Sequence, residues 1–186
     1  MQATELADRL EACPVIAAIR DSKWQAALAS PAEVLFYLEP HLQTISQRVL
    51  QAHEAGKAMF VHLDLAEGIG KDREGVEYLA NCGVDGIIST RAQIIRFAKD
   101  CGLLTVQRFF ALDSQGLDSV QEMMKSTHPH FMEIMPGVIP KVIQQFASGN
   151  IPVIAGGLIE TKQEITAALG SNAIAVSTGC EQLWYL

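Results

Sequence analysis

The chain has 186 residues, of which 49% are hydrophobic and 19% charged, and its formal net charge is −7. That length and balance suit one folded domain with a substantial core and exclude a disordered chain. The negative charge argues against strong nonspecific affinity for nucleic acid, while leaving room for a local basic face. No apolar run is long enough to span a bilayer, and Met1-Gln2-Ala3-Thr4-Glu5 lacks the basic start and apolar centre of a secretion signal. A cytoplasmic protein that does not engage a membrane is expected. Cys13, Cys82, Cys101 and Cys180 are scattered, without Cys-x-x-Cys spacing, and read as small buried hydrophobes.

In chain order, apolar runs predict strands at Val15–Ile19, Val34–Leu38, Ala58–Leu65, Val84–Thr90, Leu104–Phe110, Phe131–Met135, Pro152–Gly156 and Ala173–Thr178. Such nearly continuous runs suit strands buried on both faces of a parallel sheet. Helical patterns lie between them. A first helix is expected around Ser22–Ser30. Leu42, Ile45, Val49 and Ala52 then form a 3.6-residue stripe that Gly56 stops. Val76, Leu79 and Ala80 mark the next helix. Leu117, Val120 and Met124 mark a later one, with Asp113 or Ser114 as its N-cap. Ile139, Val142, Ile143 and Phe146 follow. Thr161-Lys162-Gln163-Glu164 then forms a capping box ahead of Ile165 and Leu169. Eight β/α units predict a compact single-domain (β/α)8 TIM-type barrel over residues 1–186. A doubly wound open sheet is the alternative, because periodicity does not show closure. Barrels typically take about 250 residues, so the loops here must be short.

Parallel barrels work at the C-terminal ends of their strands. Those ends carry Arg20, Glu39, His62 with Asp64, Ser89-Thr90-Arg91, Gln107-Arg108, Glu133, Gly156-Gly157 and Ser177-Thr178. His62 and Asp64 are two apart, so within a strand they would share a side. They read either as a ligand-facing pair or as a structural plug. Glu133 interrupts an apolar run and should face the mouth. Arg91 and Arg108 could meet a phosphate or pair with Asp64 or Glu133. The segments ending in Gly156-Gly157 and Ser177-Thr178 close the seventh and eighth strands. There barrels often hold phosphate on backbone N–H groups, glycine permitting close approach and hydroxyls adding donors. A small phosphorylated ligand is expected.

No lysine stands at a strand end, so Schiff-base chemistry lacks its nucleophile; Lys71, Lys141 and Lys162 fall in helices or loops. His128-Pro129-His130 precedes the sixth strand, at the opposite end from the expected site. The spacing of Asp64 and Glu133 specifies no metal ion. No convincing catalytic constellation emerges, although an isomerase, epimerase or lyase acting on a small phosphate ester, with Asp64 or Glu133 as general base, stays open. The sequence carries no reading of oligomeric state.

Taken together, His62-Leu63-Asp64-Leu65, Gly86-Ile87-Ile88-Ser89-Thr90-Arg91, Gln107-Arg108, Leu112-Asp113-Ser114, Glu133-Ile134-Met135-Pro136-Gly137-Val138-Ile139-Pro140, Ile151-Pro152-Val153-Ile154-Ala155-Gly156-Gly157-Leu158-Ile159 and Leu183-Trp184 resemble the GlpP family of glycerol uptake operon antiterminators. The resemblance implies a β/α barrel that binds glycerol 3-phosphate as effector, with no cofactor, and acts on the leader of nascent mRNA so that transcription passes a terminator. Carried onto this chain, Gly156, Gly157, Ser177 and Thr178 would hold the phosphate, with Arg91 beside them as a further ligand-binding candidate. Asp64, Gln107 and Glu133 would be available to the glycerol hydroxyls. Two departures stand out. Ala92 replaces the glycine usual after Ser-Thr-Arg, and Ser177-Thr178-Gly179-Cys180-Glu181 replaces a segment that ends in lysine. Arg91, Arg96 and Lys99, on the helix after the fourth strand, could form a basic stripe for RNA.

Overall fold

Eight parallel strands close into a barrel in sequence order, the last pairing with the first. They are β1 (Val15–Ile19), β2 (Val34–Tyr37), β3 (Ala58–His62), β4 (Gly86–Ser89), β5 (Leu104–Phe110), β6 (Phe131–Met135), β7 (Val153–Gly156) and β8 (Ala175–Thr178). The computed structural model describes residues 1–111 and 114–186, and the side chains of all of these except Ser114, Gln115, Asp118 and Gln121. The expected cap at Asp113 or Ser114 lies outside what is described. Around the sheet run α1 (Ala3–Ala12), α2 (Trp24–Ala29), α3 (Ile45–Glu54), α4 (Arg73–Asn81), α5 (Ala92–Asp100), α6 (Ser114–Thr127), α7 (Pro140–Ala147) and α8 (Lys162–Leu169). After β8 the described chain makes only a 3-10 helix, Glu181–Tyr185. Among the described residues, no helix is long and apolar enough to cross a membrane.

Alternation along each strand divides the core into two layers. Ile16, Val34, Phe36, Phe60, Ile88, Val106, Phe131 and Ile154 point inward and fill the barrel. Their neighbours, such as Val15, Leu35, Met59, Ile87, Ile134 and Val176, point outward beneath the helices. Both faces of the sheet are therefore dry, which is why the strands read as unbroken apolar runs. Helix α1 had no counterpart in the expected β/α units. Its Leu6 and Leu10 join the interior cluster, and Arg9 donates to the Gly56 carbonyl just ahead of β3. It plugs the end of the barrel opposite the strand C-termini.

The third strand is shorter than expected. It stops at His62, and Leu63–Leu65 turn into a 3-10 helix. The apolar pattern ran on because Leu63 is buried in the outer core while Leu65 is exposed at the rim. The first expected helix is a 3-10 turn at Asp21–Lys23 leading into α2. The capping box before α8 is present as read: Thr161 Oγ1 accepts from Glu164 N–H, and Glu164 accepts from Thr161 N–H.

Candidate functional site

A cavity of about 580 Å³ opens at the C-terminal ends of the strands, on the side where β8 meets β1. Its inner wall comes from strand residues that point into the barrel. Arg108 of β5 and Glu133 of β6 are directly opposite in the ladder. Arg108 Nε donates to Glu133 Oε2 at 2.6 Å, and Ser177 Oγ of β8 donates to Glu133 Oε1. The Glu133 side chain is 1% exposed and that of Arg108 9%. Charges so far out of water are tolerable only when paired and hydrogen-bonded.

Gly156 makes room for this cluster. A Cβ at 156 would run into the Glu133 carboxylate and stand 2.6 Å from Ser177 Oγ. Gly157 lines the cavity in a left-handed conformation, φ +75°, which suits glycine. Leu158 follows at φ +61° with its side chain exposed on the lip, a backbone state that costs about 1 kcal/mol or more in a residue with a Cβ. Two cross-links hold this turn. Gly137 N–H donates to the Gly156 and Gly157 carbonyls, and Thr178 Oγ1 donates to the Ile159 carbonyl at 2.7 Å while accepting from Cys180 N–H. Trp184, fully buried, donates from its indole to the Thr178 carbonyl.

The N-terminus of α8 carries an acidic residue, Glu164, in its first turn. Glu164 already accepts from the N–H groups of Glu160 and Thr161. The cations facing the cavity are Arg108 and Lys23. Lys23 Nζ donates to the Gly179 carbonyl at 2.5 Å and lies 6.0 Å from the Trp184 ring. An ammonium has three donors, so this contact leaves capacity for a ligand anion. The turn that presents Lys23 is fixed. Asp21 accepts from Tyr37 Oη at 2.7 Å and pairs with Arg48 at 3.0 Å, and Arg48 stacks 4.6 Å over Trp24.

Lys23 escaped the sequence reading because it belongs to the loop after β1, far from β8 along the chain. Only closure of β1 onto β8 makes those loops neighbours.

Of the residues singled out in the sequence, Arg108, Glu133, Gly157, Ser177 and Thr178 line the cavity, and Gly156 backs it. The Thr178 hydroxyl is committed to the loops. Asp64 is outside the lining. It accepts from Ser89 Oγ, Thr90 N–H and Thr90 Oγ1, which ties the turn after β3 to the start of α5. Burial pulls the Asp64 pKa up, but those hydrogen bonds outweigh it and hold the carboxyl below its ordinary value. Arg91 is the N-cap residue of α5. Its guanidinium is half exposed, 3.7 Å from Asp64, and does not reach the cavity. Gln107 faces the other way. It accepts from Thr127 Oγ1 and donates to Met123 Sδ, under α6. Alternation put either Gln107 or Arg108 inside, and the ladder chose Arg108. On α5, Lys99 donates to the Thr127 and His128 carbonyls and Arg96 to Ser126, so both reach across to the end of α6.

His62 ends β3 and points inward, buried beside Arg108 and Glu133. Burial first, and then the Arg108 charge, push its pKa down to about 4, against the pull of Asp64, Glu133 and its own carbonyl oxygen. It is neutral at pH 7.

Comparison with known proteins places this barrel. An uncharacterized protein of Escherichia coli K12, YgcP, is 32% identical over 93% of this chain and 92% of its own length. The crystal structure of a glycerol uptake operon antiterminator regulatory protein from Listeria monocytogenes superposes with a TM-score of 0.87 at 34% identity, covering 91% of this chain and 94% of that one. A glycerol uptake operon antiterminator-related protein from Thermotoga maritima gives 0.83 at 30% identity, over 91% and 96%. Residues 15–184 match the model of the glycerol-3-phosphate responsive antiterminators, and the chain belongs to that family.

Proposed function

We propose that the mouth cavity binds glycerol 3-phosphate as an effector, and that the liganded protein acts in the cytoplasm on the leader of a nascent glycerol-operon mRNA. The observation that carries the reading is the pairing of two cations, Lys23 and Arg108, with an inner hydroxyl–carboxylate group, Ser177 and Glu133, in one cavity. The cations suit a phosphate, and the inner group suits a polyol. Family membership supports the same effector. The reading is of a regulator and not of an enzyme. Both Glu133 oxygens are engaged by Arg108 and Ser177, and Asp64 is engaged by Ser89 and Thr90. Carboxylate oxygens that already accept hydrogen bonds from the fold are not free to take a proton from a bound ligand.

Glycerol 3-phosphate at about 100 times its dissociation constant adds about 2.7 kcal/mol of stability, which should raise the thermal midpoint by about 5–10 °C. Glycerol alone should not. Lys23→Ala should weaken the affinity about 10-fold or more, since a charge-assisted hydrogen bond is lost, with the far-UV dichroism unchanged. No shift with glycerol 3-phosphate, where inorganic phosphate does shift the midpoint, removes this effector from the account.

The RNA arm has its own test. Binding of a leader transcript from a glycerol operon of the same organism should tighten when glycerol 3-phosphate is added, and RNA should tighten the ligand by the same factor. The titration belongs at low salt first, where basic contacts weigh most. Ligand binding with no RNA binding even there leaves an effector-binding protein without the antiterminator step.

A further inference from the structure

One buried group in the barrel has no hydrogen-bond partner in any other residue. His62 is 4% exposed, and neither Nδ1 nor Nε2 has a hydrogen-bond partner. Among the described residues, the other buried side-chain atom in that position is Arg48 Nε, and the remaining nitrogens of that guanidinium bond Gln51 and Asp21. Among the buried polar side chains described, His62 is the one with both of its polar atoms unpaired to any other residue. Buried polar groups in folded proteins have partners, and one left without is costly.

The surroundings say what kind of partner is missing. Three charged groups act on the imidazole: Arg108, Asp64 and Glu133. Asp64 is held by Ser89 and Thr90. Arg108 and Glu133 hold each other, and Ser177 takes the second Glu133 oxygen. The same Arg108 and Glu133 line the mouth cavity, so the charges that act on His62 belong to the inner wall of that cavity. A neutral imidazole presents one donor and one acceptor. A carboxylate or a phosphate dianion can only accept, and an ammonium can only donate. An alcohol does both, and satisfies either nitrogen in either tautomer.

We propose that His62 is a ligand-contacting residue: the carbon chain of the bound phosphate ester runs inward from Lys23, past the Arg108–Glu133 pair, and places a hydroxyl on the His62 ring. The inference rests on the cavity reading above and deepens it, because it makes His62 the residue that distinguishes a polyol phosphate from phosphate itself.

Calorimetry on the full chain tests it, with four probes: glycerol 3-phosphate, 3-hydroxypropyl phosphate without the central hydroxyl, 1,2-propanediol 1-phosphate without the terminal one, and inorganic phosphate. The wild-type protein should bind glycerol 3-phosphate about 10–100-fold more tightly than one of the two deoxy analogues. In His62→Phe that preference should shrink to about threefold or less, while affinity for inorganic phosphate is kept. His62→Gln, which retains a donor and an acceptor, should recover part of the preference. Independently of any variant, the ring nitrogen resonances of His62 should move when glycerol 3-phosphate is added and stay in place with inorganic phosphate. Unchanged discrimination in a folded His62→Phe, or resonances that ignore the ligand, overturns the inference and leaves the cavity reading standing. A wild-type protein that binds neither glycerol 3-phosphate nor inorganic phosphate overturns the cavity reading, and this inference with it.

Discussion

Arg108→Met is expected to destabilise the barrel by about 3–5 kcal/mol at pH 7, among the largest effects of any single change at the mouth. The variant leaves the Glu133 carboxylate, 1% exposed, with Ser177 Oγ as its remaining donor among the described residues. Replacing both members, as Arg108→Met with Glu133→Leu, should recover most of the loss, because two well-packed apolar side chains avoid the desolvation that the ion pair had to offset. The double variant should then be folded and blind to glycerol 3-phosphate. Urea titrations with a common m-value measure both effects. A single variant within about 1 kcal/mol of wild type would mean that the pair is solvated and not the buried element described above.

The second large effect is on pH dependence. His62 has a folded-state pKa of about 4 against an ordinary 6.5. In the unfolded chain the imidazole takes up a proton as the pH falls below 6.5, whereas the folded protein does not until about pH 4. The unfolded state therefore binds more protons in that window, and stability drops as the pH falls through it, by about 3 kcal/mol in total, and levels off below. His130, lowered by burial and by Lys99, acts in the same direction. Asp64, held below its ordinary value, adds its own loss only at more acid pH. Comparing His62→Phe with wild type isolates the first contribution. The free-energy gap between the two proteins should change by about 3 kcal/mol between pH 7 and pH 4. A gap that is constant over that range would show that the imidazole is not buried in its neutral form.

Much of this molecule was legible in the linear chain, and the reasons are local. Strands dry on both faces leave unbroken apolar runs, so β1, β5 and β6 were bounded as they stand. Helix α3 was marked by a stripe that ends at Gly56, which has φ +74°. The cap of α8 is set by four consecutive residues, Thr161 to Glu164, whose side chains and amides reach one another within a single turn. The glycines at the end of β7 were also readable as a place of close approach to the backbone. Their reason was not: Gly156 yields space to the Glu133 carboxylate from the neighbouring strand.

What the chain alone determined is the composition of the mouth: which short segments end the strands, and which polar residues those segments carry. Which of them meet was decided by the closed sheet. Alternation says that Gln107 and Arg108 face opposite ways, but only the ladder with β6 sets Arg108 against Glu133 and turns Gln107 toward α6. An apolar Leu63 followed by Leu65 extends a strand on paper, whereas the chain turns there and commits Asp64 to Ser89 and Thr90. Closure of β8 against β1 brings Lys23 to the Gly179 carbonyl from the other end of the sequence. Hydrophobic periodicity records how each segment meets the core. It carries no record of the long-range pairings that decide which charges share a cavity, because those depend on register and closure, and not on any one segment.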